Sequence, residues 1–101
     1  MTTQEQIDWI EDGIIEDLYC IYGVQRREDG SKYVNIPFPT EEEILERIES
    51  EMDNVEDALE DELPYEEEQR LLQICKDNVL VVYHHIAKRR IEECGAEDEW
   101  G

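Results

Sequence analysis

Cations are scarce in this chain. Nine Lys and Arg stand against 29 Asp and Glu, and none precedes Arg26. The formal charge of −20 at pH 7 is far beyond the magnitude of about 2–8 that solubility asks of a small domain. Cysteine is sparse too: Cys20, Cys75 and Cys94 cannot all pair within one chain and form no CxxC. Reduced thiols are therefore expected, not a disulfide framework. No apolar run approaches the ~20 residues that span a bilayer. The opening "MTTQEQIDWIED" lacks the basic region and apolar block of a signal peptide. A soluble, cytoplasmic protein is the expectation.

The patterns of common catalysts are missing as well: there is no GxSxG, phosphate loop or Cys/His arrangement. His84 and His85 are adjacent, so on a helix they point about 100° apart and cannot chelate together as i,i+4 histidines do. One is expected near the core and the other in solvent. Cys75 and Cys94 lack zinc-ligand spacing, and no alternating Asp/Asn loop with a central Gly marks an EF-hand. Glu42, Glu43 and Glu46 match the EExxE pattern with which helical nucleotide pyrophosphatases hold magnesium. Those enzymes also need a carboxylate pair on a facing helix, where this chain offers only Asp77. No enzymatic activity, metal or cofactor is expected.

What is present is helical period. Its 101 residues suit one domain. Ile7, Ile10, Ile14, Leu18 and Ile21 fall on one face of a helix over 3–22, with Thr3 and Gln6 as a capping box and Gly23 as its stop. A hairpin over 24–36 turns at Asp29-Gly30, and Tyr33, Ile36 or Phe38 is expected to pack it onto the helices. Pro37 and Pro39 make "IPFPT" a stiff connector. A second capping box, Thr40 and Glu43, opens a helix over 41–62 with Ile44, Ile48, Met52, Val55 and Leu59 inward. Pro64 introduces a third helix over 65–94, antiparallel to the second, with Leu72, Cys75, Val79, Val82 and Ile86 inward and Gly95 as C-cap. Its segment "NVLVVYHHI" is apolar on all sides and could equally be a buried strand. The unbroken run favours a helix in a central position. Lys88, Arg89 and Arg90 complement that helix's dipole, and residues 95–101 read as a mobile acidic tail. The expected fold is mainly α: three helices with a short β-hairpin between the first two.

The charge is regional. Residues 41–68 carry −14 and residues 1–22 carry −6, whereas residues 69–91 carry +4. In the second helix Glu42, Glu46, Glu49, Asp53, Glu56 and Glu60 recur in steps of three and four, making one ribbon of carboxylates. Glu5, Asp8, Asp12 and Glu16 form a thinner stripe on the first helix. Were residues 41–68 all helical, their fifteen carboxylates would give roughly one charge per 3 Å of axis, near the ~3.4 Å of one strand of duplex DNA. Helices that are acidic only for solubility interleave Lys at i+4, whereas like charges at that spacing cost about 0.2–0.5 kcal/mol per pair. Halophilic adaptation or an acidic scaffold would nonetheless give the same pattern. Trp9, Tyr19, Tyr22 and Tyr65 are candidates either for interface anchors or for closing a small core.

In acidity and size the chain resembles phage-encoded DNA-mimic inhibitors of restriction enzymes or CRISPR effectors, a class that shares charge distribution more than sequence. No specific motif carries the resemblance. It implies an anti-restriction or anti-CRISPR protein in the host cytoplasm. The ten carboxylates of the ribbon and stripe would then occupy Lys and Arg sites meant for phosphates on a basic nucleic-acid-binding protein. So acidic a surface disfavours nucleic acid and membranes as direct partners, and leaves a homodimer open. The competing expectation is a structural or adaptor protein that binds a basic partner with no nucleic-acid role.

Overall fold

The computed structural model describes residues 2–35 and 37–95. Helix α1 (Thr3–Asp17) continues into a π-helical turn (Leu18–Tyr22), followed by a hairpin of β1 (Gln25–Arg26) and β2 (Lys32–Tyr33). Next come α2 (Glu41–Val55), a 3₁₀ turn (Glu56–Ala58) and α3 (Tyr65–Cys94). The fold is therefore mainly helical, with three helices and an antiparallel two-stranded hairpin between the first two. Ile36 and residues 96–101 lie outside the described residues, and with them the expected packing of Ile36 and most of the expected tail.

Contacts across the seams set the helix directions. Glu41 lies against His84 and Glu49 against Lys76, so an advance of eight residues on α2 is a retreat of eight on α3. The two helices run antiparallel, as their short connection predicts. Arg47 of α2 reaches Asp17 of α1, and Asp61, beyond the end of α2, reaches Thr3. This makes α1 and α2 antiparallel as well, and α1 parallel to α3, along which it principally packs. At 30 residues, α3 supplies about 45 Å of the 51 Å long axis.

The core joins Ile7, Ile10, Ile14 and Leu18 of the first helix to Ile44, Ile48 and Met52 of the second and Leu72, Cys75, Val79 and Ile86 of the third. Expected inward positions that fall short are Val55, Leu59 and Val82, which are half-buried, and Ile21, which is 43% exposed. The π turn accounts for Ile21: its wider i→i+5 winding takes the stripe out of phase after Leu18. The segment "NVLVVYHHI" is helical, but it is not enclosed, since Val81 is 70% exposed. Val81 lies on the side of α3 that faces solvent. His84 and His85 are both exposed, contrary to the expected split.

Several ends differ from the sequence reading. Thr2, not Thr3, caps α1, in a capping box with Glu5. Thr3 is instead buried and donates its N–H and hydroxyl to Asp61 at 2.7 and 2.8 Å. Thr40 accepts from the N–H of Glu43 as expected, and Pro64 precedes α3. Gly95 ends α3 in the left-handed conformation at φ 64°, and Gly30 turns the hairpin at φ 89°. Gly23 stops the first helix for a different reason: a Cβ there would sit 2.5 Å from the Tyr19 carbonyl oxygen. Among the described residues the hairpin is shorter than 24–36, pairing Gln25 with Tyr33 and Arg26 with Lys32. Helix α2 stops at Val55 rather than near residue 62. Asp53, Glu56 and Asp57 crowd its negative dipole end without any cation in the last turn. Leu59 then packs on the core and Asp61 is held by Thr3.

Arg90 departs furthest from expectation. It is fully buried. Its guanidinium donates to the carbonyls of Tyr22 at 2.5 Å and Asn35 at 2.9 Å, and lies 4.4 Å over the Phe38 ring. Phe38 stacks on Tyr83 at 4.8 Å, and the Tyr83 hydroxyl donates to the Pro39 carbonyl. Phe38 is thus the hairpin-side residue that packs onto the helices, while Tyr33 is half-buried beneath Arg27.

Candidate functional site

All ten carboxylates singled out in the sequence are exposed. Glu42, Glu46, Glu49 and Asp53 share one outward face of α2, spanning about 17 Å. Glu56 opens the 3₁₀ turn and Glu60 lies in the non-helical segment 59–64, so the ribbon does not continue through them as helical period. Charge density survives over a shorter length. The seven carboxylates of α2 still give roughly one per 3 Å, but over about 22 Å rather than 40 Å. Glu5, Asp8, Asp12 and Glu16 face outward on α1, which runs the other way.

Glu5 also has a structural task. The Thr2 backbone N–H and hydroxyl hold its carboxyl below the usual range. Asp8 accepts from Gln4 at 2.9 Å. Glu49 meets Lys76 of α3 at 2.6 Å. The other cations are used elsewhere. Arg47 bridges α2 to Asp17 at 2.8 Å, and Lys32 and Arg89 converge on Glu93, at 2.6 and 2.8 Å. That convergence, led by Lys32, holds the Glu93 carboxyl at about 2. Four of the nine Lys and Arg, Lys32, Arg47, Lys76 and Arg90, join elements to one another, while Arg70, Lys88 and Arg89 pair with carboxylates of their own helix α3.

The antiparallel return of α3 gathers acid at one pole. The end of α2, the segment 56–64 and the start of α3 bring nine carboxylates into residues 53–68. The pole also receives the N-termini of α1 and α3, whose positive dipole ends offset part of the repulsion. Arg26, Arg27, Lys32, Lys88, Arg89 and Arg90 sit toward the opposite, hairpin end. The molecule is therefore electrically polar as well as acidic.

A cleft of about 380 Å³ opens at the acidic pole between α2 and α3. Glu49, Asp53 and Glu56 line it from one side and Glu68 from the other. Buried Met52 and Leu72 form its floor, and Tyr65, 75% exposed, stands at its edge. Sequence reading found Glu49, Asp53 and Glu56 and named Tyr65 separately. The antiparallel return implied by the short α2–α3 connection was the signal that could have joined them. Of the remaining aromatics, Trp9 and Tyr19 are exposed at 64% and 46%, whereas Tyr22 packs on the core.

Other chemistry finds no constellation. Asp77 accepts from Gln73 on its own helix, and among the described residues no group of three His, Cys, Asp or Glu is placed to hold a metal ion. Burial pushes the Cys75 thiol up to about 12, with Glu11 and Asp8 adding to the shift, so it is not a nucleophile at neutral pH. No described helix is long and apolar enough to cross a membrane. Comparison with protein-family models, curated proteins and solved structures gave no match.

Proposed function

We propose that the protein is a non-enzymatic inhibitor that imitates nucleic acid, encoded by a phage or other mobile element. It acts in the host cytoplasm on a basic nucleic-acid-binding protein of host defence, such as a CRISPR effector or restriction enzyme. The observation that supports this reading is the placement of cations. Of the nine Lys and Arg, Lys32, Arg47, Lys76 and Arg90 lie in seams between elements, while Glu42, Glu46, Asp53 and Glu56 meet no cation among the described residues. Like charges at i,i+3 and i,i+4 oppose helix formation, so folding alone gives no reason for that surface. Carboxylates on the outer face of α2 take the places of phosphates in the partner's site. Steering by opposite charge makes association rapid and salt-sensitive.

The test has two stages. Proteins captured from host lysate at low salt are released at raised salt and identified, and DNA or RNA is then titrated against the isolated complex. Displacement by nucleic acid is the expected result. Replacing Glu46, Glu49, Asp53 and Glu56 by Gln, Gln, Asn and Gln should preserve the helical circular dichroism spectrum and weaken capture at least tenfold. Wild-type binding by the folded quadruple variant would sink the reading. Capture of a basic protein that nucleic acid does not displace would favour an adaptor instead.

A further inference from the structure

We infer that the cleft between α2 and α3 is a socket for one arginine side chain of the basic partner. The inference deepens the reading above and rests on it for the nature of the partner. A carboxylate surface alone attracts any cation, but this cleft adds two features that charge does not supply. Its floor, Met52 and Leu72, is apolar and 3% and 6% exposed. The ring of Tyr65 stands 75% exposed at the edge, a position that helix formation does not require of an aromatic. The volume, about 380 Å³, lies within the ~300–1,000 Å³ range of small-ligand pockets.

An arginine fits each part. Its aliphatic stem covers the Met52 and Leu72 floor while its head remains polar. Its planar guanidinium can lie on the Tyr65 face and donate two parallel hydrogen bonds to a carboxylate of Asp53, Glu56 or Glu68. Lysine offers the same charge without the plane or the fork. Lys76 engages Glu49 at one margin, leaving those three carboxylates for the incoming group. Glu42 and Glu46 lie nearer the start of α2 and outside the cleft, so they contribute long-range attraction only.

The experiment titrates the full-length chain with nona-arginine and with nona-lysine, by calorimetry and by amide chemical shifts. Nona-arginine should bind about tenfold more tightly than nona-lysine, with the largest shifts at Met52, Asp53, Glu56, Tyr65 and Leu72. Tyr65→Ala should lose about five- to tenfold toward nona-arginine and less than about twofold toward nona-lysine. The double variant Glu42→Gln, Glu46→Gln should weaken both peptides equally. Equal affinity for the two peptides, an unchanged ratio in Tyr65→Ala, or shifts centred elsewhere would overturn the socket. The two readings fail separately. A socket that prefers arginine, on a protein whose captured partner nucleic acid does not displace, refutes mimicry alone. Displacement by nucleic acid together with a neutral Tyr65→Ala refutes the socket alone.

Discussion

Replacing Arg90 tests whether a single cation ties the hairpin to the helices. The guanidinium is fully buried and donates to two backbone carbonyls, of Tyr22 and Asn35, from segments on either side of the hairpin. A hydrogen bond from a charged donor is worth about 1.5–3 kcal/mol, and a buried carbonyl left without its donor costs a similar amount. The face of Phe38, 4.4 Å away, adds roughly 0.5–2 kcal/mol. Water can reach Asn35, which is exposed, so Arg90→Ala is expected to cost about 3–5 kcal/mol rather than the full gross value. A domain of this size has about 5–15 kcal/mol in all. Burial of this cation is also eased by the field of a chain carrying −20. In urea unfolding followed by far-ultraviolet circular dichroism, the midpoint should fall by roughly 2–3 M at m of about 1.5 kcal/mol/M. Arg90→Lys should recover only part of this, because one ammonium does not reproduce the fork that reaches both carbonyls. An unfolding free energy for Arg90→Ala within about 0.5 kcal/mol of wild type would refute the argument.

The chain's self-repulsion predicts that salt stabilises it. Raising NaCl from about 0.02 to 0.5 M should raise the melting temperature by about 4–8 °C, equivalent to ~1 kcal/mol at this size, and an unchanged or lower value would contradict the electrostatic account. Glu93 predicts the acid limb. Lys32 and Arg89 depress its pKa from 4.5 to about 2, so its contribution is complete above pH 4.5 and is lost as pH falls toward 2. Glu93→Gln should therefore be less stable than wild type near neutral pH, with the gap closing between about pH 4.5 and 2 in pH-dependent thermal melts. A gap that stays constant across that range would rule out the ion pairs as its source.

Helical period alone determined the three helices, their order and most of their buried stripes, because burial on one face requires apolar residues every three or four positions. Asp29-Gly30 likewise announced the turn, and Gly95 the last helix end, since those backbone conformations favour Gly. The acidic faces were legible for the same reason. What sequence period could not show was where α2 stops. A run of carboxylates that looks helical to Glu62 is broken after Val55 by the dipole at its end, by Leu59 packing on the core and by Asp61 meeting Thr3, a residue 58 positions away. The fate of Arg90 was hidden too. Its neighbours Lys88 and Arg89 are exposed, and nothing in "KRR" tells which cation will meet Phe38 and two carbonyls. The cleft is the clearest case. Asp53 and Glu68 stand fifteen residues apart on two helices, and only the antiparallel return of α3 places them on either side of the Met52 and Leu72 floor. Local patterns determine which face of a helix is polar, but which polar faces come together depends on how the chain folds back upon itself.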